Sequence, residues 1–201
     1  MKQFAFFVMI ILMTTSPATA QIPVHFGLQA GVNFANATTD PDLSLSSRTG
    51  LMVGGLVEID VAPSFFIQPE VFYIQKGAKL NLGPATVTWK LDYIEIPILA
   101  KYKFGLTEFS PYLFAGPNVG FRVNAQIVGE ANGQLEQQDL SEAYESVDFA
   151  LDFGAGAEFS VGPAASVLFG VRYSLGLSNQ IKEGGGSWKN RGIQITAGVL
   201  F

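Results

Sequence analysis

From Val24 to the end of the chain, apolar and polar residues alternate with a period of two, the signature of strands with two different faces. Val24, Phe26, Leu28, Ala30, Val32 and Phe34 share one face. His25, Gly27, Gln29, Gly31 and Asn33 share the other. Seven more segments repeat this pattern: 51–59, 65–73, 94–104, 113–123, 147–159, 165–177 and 193–201. Tight links fall near Val61-Ala62-Pro63, Gly105 to Phe109 and Val161-Gly162-Pro163. Long links run from Ala37 to Arg48, Gly77 to Thr88, Asn124 to Ser146 and Ser178 to Asn190. Strands of about ten residues with short turns at one end and long loops at the other predict an all-β fold. The expected form is an eight-stranded antiparallel up-and-down transmembrane β-barrel.

The charges settle which face points inward. Glu58, Glu70, Glu95, Lys101, Lys103, Arg122, Asp148, Asp152, Glu158 and Arg172 all lie on the face opposite the apolar one, and no apolar-face position is charged. A soluble barrel has the reverse arrangement, apolar inside and polar outside. The charged face is also rich in glycine, which suits the crowded interior of a small barrel. Charges of both signs in so narrow a lumen are expected to pair, because unpaired buried charge is costly. Asp148 and Asp152 in particular are expected to bridge to Arg122 or Arg172. A lumen filled this way is plugged. Outward aromatics near the strand ends form the expected girdles: Phe26, Phe65, Phe104, Phe159 and Phe201 on the turn side, and Phe34, Tyr73, Phe121 and Phe149 on the loop side.

The first twenty residues read differently. Met1-Lys2-Gln3 is followed by an apolar run from Phe4 to Met13, then by a small, polar stretch ending Ala18-Thr19-Ala20. This is the layout of a secretory signal peptide cleaved after Ala20, so residues 1–20 are assigned as signal and 21–201 as the barrel domain. Ten residues of helix would span only about 15 Å, half a bilayer core.

Composition narrows the function. Charged residues are 14% of the 201, against roughly 25% in soluble domains. The formal net charge of −5 excludes electrostatic binding of nucleic acid. The absence of cysteine excludes disulfide frameworks and thiolate zinc sites. No cofactor is expected. Gly154-Ala155-Gly156 lacks the third glycine and the helix of a dinucleotide fingerprint, and Gly184-Gly185-Gly186-Ser187 is followed by no helix pattern. Asp40-Pro41-Asp42 reads as a turn in preference to a weak calcium site. Catalysis is not expected, because the single histidine, His25, falls at the turn end, away from any serine in the long loops. The third long link carries Glu130, Glu136, Asp139, Glu142 and Glu145 and no base. It reads as solvated chain, with a short amphipathic helix or a partner site as the alternative.

Several segments resemble the PorT-type outer-membrane β-barrel family. They are Gly27-Leu28-Gln29-Ala30-Gly31-Val32-Asn33, Ile67-Gln68-Pro69-Glu70-Val71-Phe72-Tyr73, Leu91-Asp92-Tyr93-Ile94-Glu95-Ile96-Pro97-Ile98-Leu99, Pro111-Tyr112-Leu113-Phe114-Ala115-Gly116-Pro117, Gly154-Ala155-Gly156-Ala157-Glu158 and Arg172-Tyr173-Ser174-Leu175-Gly176-Leu177, in that order. The resemblance implies a barrel in the outer membrane of a Gram-negative bacterium, surrounded by outer-membrane lipids. A founding member of the family is associated with protein secretion. The ending Ile195, Ala197, Val199, Phe201 is similar to the signal read by barrel-assembly machinery. The expected function is a structural or interaction protein of the cell envelope with an envelope protein partner. The alternatives are a small transport or ligand-gated pore and, behind it, a lipid-modifying enzyme.

Overall fold

The computed structural model describes residues 23–105, 108–131, 133–162, 164–182 and 185–201. The signal segment 1–20 lies outside them. Nine strands follow in chain order: β1 (Val24–Asp40), β2 (Ser46–Ala62), β3 (Phe65–Leu82), β4 (Ala85–Lys103), β5 (Phe109–Ala131), β6 (Gln134–Asp139), β7 (Val147–Gly162), β8 (Ala165–Gly176) and β9 (Ser187–Leu200). All pairings are antiparallel. The strands β1-β2-β3-β4-β5-β7-β8-β9 close into a ring when β9 pairs with β1, so the barrel has eight staves. The remaining strand, β6, lies outside the ring and hangs on the loop-end half of β5.

The alternation works as the pattern predicts. Leu51, Val53, Val71, Ile98, Leu113 and Ile195 point outward and are exposed, while Glu58, Glu70, Glu95, Lys101, Asp148 and Asp152 point inward and are buried. At the turn end the outward aromatics touch. Tyr102 lies 4.9 Å from both Phe65 and Phe104, and Phe159 bridges Phe109 at 5.0 Å and Phe169 at 6.1 Å.

The loop end departs from expectation. Gly77 to Thr88 is not a long loop. β3 and β4 stay paired as far as Leu82 and Ala85 and are joined by Gly83-Pro84, with Gly83 at φ 71°. Asn124 to Ser146 is neither solvated chain nor helix. β5 continues to Ala131, turns back through Gly133 (φ 76°) into β6, and closes with a turn over 140–144. At about 3.3 Å per residue the 23 residues of β5 run to roughly 75 Å, whereas about ten tilted residues cross a bilayer. The strands β3, β4, β5 and β6 therefore form a tall wall above a rim that is low at β7 and β8.

In this tall wall the face preference inverts. Cross-strand partners share a face, so the register defines inner rows Ala78–Trp89–Ile127 and Leu80–Val87–Gly129, and outer rows Lys79–Thr88–Val128 and Asn81–Thr86–Glu130. Ala78, Leu91 and Ala125 are fully buried inside. Below the inversion the outer face is apolar; above it the outer face is polar. On β5 a bulge at Val123 shifts the register between Asp92 and Tyr93 and turns the inward parity from even to odd residues.

Candidate functional site

The lumen holds two apolar clusters. In the turn-end half Leu56, Leu99, Tyr112, Phe114, Leu168 and Leu200 pack together. In the loop-end half Met52, Phe72, Ile74, Leu91, Tyr93, Tyr144 and Trp188 do so. The inward face is therefore not simply polar and glycine-rich, as its sequence suggested. The glycines have a spatial role. A Cβ on Gly54 would meet Phe72 Cδ1 at 2.4 Å, one on Gly154 would meet Phe114 Cζ at 2.6 Å, and one on Gly156 would meet Tyr112 Cζ at 2.3 Å. Each aromatic ring lies over a glycine directly opposite on the next strand.

The inward charges form a chain of polar contacts along the lumen. At the turn-end mouth Lys103 Nζ contacts Glu158 at 2.7 Å and donates to Glu58 at 2.5 Å. Glu58 also accepts from Lys101 at 2.6 Å, and Lys101 donates to Gln68 Oε1 at 3.1 Å. Gln68 Nε2 donates to Glu70 at 2.6 Å. Arg172 then spans Glu70 at 2.7 Å and Asp152 at 3.4 Å. Asn118 Nδ2 donates to both Asp152 and Glu95 at 3.0 Å. Lys76 joins Glu95 to Asp148, the latter at 3.3 Å. The cations also face aromatic rings: Lys101 lies 4.1 Å from the Tyr112 centroid, Lys103 4.3 Å from that of Phe66, and Arg172 5.2 Å from that of Phe114.

Two expectations about this set need correction. Asp148 pairs with Lys76, not with Arg122 or Arg172. Among the described residues Arg122 bonds no carboxylate: its Nε donates to the Glu145 carbonyl at 2.9 Å, and Nη2 to those of Ser141 at 2.9 Å and Tyr144 at 3.2 Å. The arginine thus holds the turn after β6 over the loop-end mouth. Lys76 joins the lumen charges although it lies just beyond the expected end of its strand. A further buried pair, not expected from the sequence, joins Arg48 to Asp92 at 3.4 Å, and Arg48 donates in addition to the Lys76 carbonyl.

That turn is the lid of a cap. Tyr144 pairs with Ile181 in a single antiparallel bridge, and Glu145 N donates to the Gln180 carbonyl at 2.7 Å. The Tyr144 ring sits 6.0 Å from Trp188, which stacks 5.5 Å from Trp89. Burial pushes the Tyr144 hydroxyl up to about 12. Beneath the cap, Asp148 accepts from Asn190 at 2.9 Å, Ser178 at 3.0 Å and Gln180 at 3.1 Å, so the polar chain reaches the cap without a break.

The five acids between 124 and 146 do not converge. Glu130 lies on the outer face of β5, Glu136 on the inner face of β6, and Glu142 is exposed in the turn. Glu145 is half-buried beside Arg122. Asp139 ends β6, where its carboxylate accepts the Ser141 amide at 2.7 Å; that bond holds its carboxyl below the usual carboxylate range. His25 stands at the opposite, turn-end mouth, 3.9 Å from Asp60, beside a cavity of about 290 Å³ also lined by Glu58, Lys103 and Glu158. Among the described residues no three His, Asp or Glu side chains are grouped as a metal site.

The sequence model of a family described as outer membrane protein beta-barrel domain matches residues 16–182. No curated protein matches significantly. Among solved structures, Neisserial surface protein A superposes with a TM-score of 0.53 at 18% identity, covering 87% of this chain and 95% of that one. A major outer membrane protein from Thermus thermophilus superposes with a TM-score of 0.51 at 12% identity, covering 89% and 99%. At these identities the likeness is one of fold.

Proposed function

This chain belongs to the outer membrane protein beta-barrel domain family, and on that premise we propose that it is a non-enzymatic display scaffold of the Gram-negative cell envelope. Its barrel is anchored by outer-membrane lipid on the apolar belt, closed by its own side chains, and presents the loop-end wall to a protein partner. One observation carries this reading: the chain of polar contacts from Glu158 to Asp148, sealed above by Tyr144 and Trp188. Buried ion pairs that satisfy one another have no mobile countercharge, and breaking one leaves a buried charge uncompensated. Opening a pore through this lumen would require separating several pairs together.

Export through a signal peptide ending at Ala20, and recognition of the strand ending at Phe201 by barrel-assembly machinery, belong to the same proposal. So does a role beside a secretion apparatus, which rests on the PorT-type resemblance alone. Single-channel recording in planar bilayers tests the reading. The expected trace stays at background. A stable open state well above it would replace the scaffold with a small pore.

A further inference from the structure

Among the described residues β6 is the one strand paired on a single side. The direction of its backbone groups follows from the register. Leu140 N donates to the Ala125 carbonyl at 2.9 Å, so bonded pairs recur at Ile127–Gln138, Gly129–Glu136 and Ala131–Gln134. Leu135, Gln137 and Asp139 therefore direct their amides and carbonyls to the open edge. Every residue of β6 is exposed, Leu135 by 70%. Beside this edge the inner face forms a groove of about 520 Å³ lined by Val87, Ile127, Gly129, Glu136, Gln137 and Gln138. Gly129 is its open floor, since a Cβ there would meet nothing within 4 Å. Residues 134–146 carry Glu136, Asp139, Glu142 and Glu145 and no base.

We propose that the β6 edge docks an extended, lysine- or arginine-bearing segment of an external protein, which adds to the wall as a further strand. An unpaired edge offers a row of main-chain donors and acceptors, and alternate side chains of the added strand give selectivity. On the groove side the added residues would lie beside Glu136 and Gln138 of β6; on the outer side they would lie beside Leu135 and Asp139. A second copy of this chain is a poor occupant, because edge-to-edge pairing brings the acids of two β6 strands within a strand spacing of about 4.8 Å. This inference rests on the display-scaffold reading and supplies its partner class.

The test uses the full barrel in phosphatidylcholine nanodiscs. The probe is a fluorescent decapeptide alternating lysine with valine and threonine. Its comparisons are the same peptide with glutamate for lysine and the same peptide N-methylated at alternate residues. Binding is read by anisotropy, and amide exchange is read at Leu135 and Gln137. The expected result is saturable binding of the lysine peptide with at least tenfold slower exchange at both amides. Both comparison peptides should bind at least tenfold more weakly. Gln137→Pro removes an edge amide not used by β5 and should cost at least tenfold in affinity; Glu136→Lys should reverse the preference between lysine and glutamate peptides. Equal binding of the N-methylated peptide, or unchanged exchange at Leu135 and Gln137, overturns the edge as the site. A barrel that stays closed in bilayers yet fails here refutes the docking edge and leaves the scaffold standing.

Discussion

Replacing Arg172 with leucine tests whether the lumen charges act as one unit. The guanidinium is buried, 2.7 Å from Glu70 and 3.4 Å from Asp152, with Phe72 and Phe114 against its faces. In Arg172→Leu the two carboxylates lose their cation. Glu70 keeps the donor from Gln68 and Asp152 the one from Asn118, so neither is stripped of hydrogen bonds. What remains is uncompensated buried charge, a loss of about 3–5 kcal/mol. Leucine fits the aromatic surroundings, so packing adds little. The triple variant Arg172→Leu, Glu70→Gln, Asp152→Asn removes the charges together and should recover to within about 1–2 kcal/mol of wild type, since neutralising a whole buried ion cluster is often tolerated. Urea titration of the refolded barrel in micelles measures both, with emission from Trp89 and Trp188 as the signal. With a urea slope of about 1–3 kcal/mol/M, the single variant should lower the midpoint by about 2 M. A single variant costing under 1 kcal/mol, or a triple variant no more stable than the single, would refute the idea that these groups hold one another.

Other outcomes follow from the same geometry. Ile98, outward and 51% exposed on the apolar belt, should tolerate arginine poorly: Ile98→Arg should cost about 2–4 kcal/mol in the same titration. A Cβ at Gly156 would lie 2.3 Å from both the Phe169 carbonyl and the Tyr112 ring, so Gly156→Ala should displace the ring, break its 3.0 Å bond to that carbonyl and cost about 1–3 kcal/mol. Arg122→Ala frees the turn over the mouth; amide exchange at Tyr144 and Glu145 should accelerate at least tenfold while the barrel amides stay protected. The intact barrel should migrate differently in detergent gels before and after boiling, and identical migration would contradict a closed sheet in detergent.

The ring was legible because period-two alternation with every charge on one parity leaves a single inside-out solution, and the register places Glu58, Glu70 and Lys101 inside as read. The tall wall was not legible by the same template. Above the belt the outer face meets water, so Lys79, Thr86, Thr88 and Lys90 occupy outward positions that are apolar lower in the barrel. The turn signals were present: Gly83-Pro84 and Asn132-Gly133 are strong breaker pairs, the latter the commonest hairpin signal. Pairing inside the lumen lay beyond the sequence for a geometric reason. Which acid Lys76 or Arg122 reaches depends on the stagger of the closed ring, and that stagger brings Lys76 on β3 to Asp148 on β7.

The distribution of charge differs between the two ends of the barrel. Inside the barrel Glu58, Glu70, Glu95, Asp148, Asp152 and Glu158 lie against Lys76, Lys101, Lys103 and Arg172 at contact distances, so every one of these carboxylates has a cation beside it. At the loop end Glu130, Glu136, Asp139 and Glu142 stand exposed on one hairpin and its closing turn, and the sequence from 124 to 146 contains no lysine or arginine. Exposed charges act over about 8–10 Å at physiological salt, whereas paired buried ones act on each other. The part of the molecule able to steer a partner is therefore the part that rises above the belt. The same inversion of faces that lifts β5 and β6 out of the apolar belt exposes their acids and the open edge together, so the apolar belt and the proposed docking edge are divided along the length of one strand, at the bulge beside Val123.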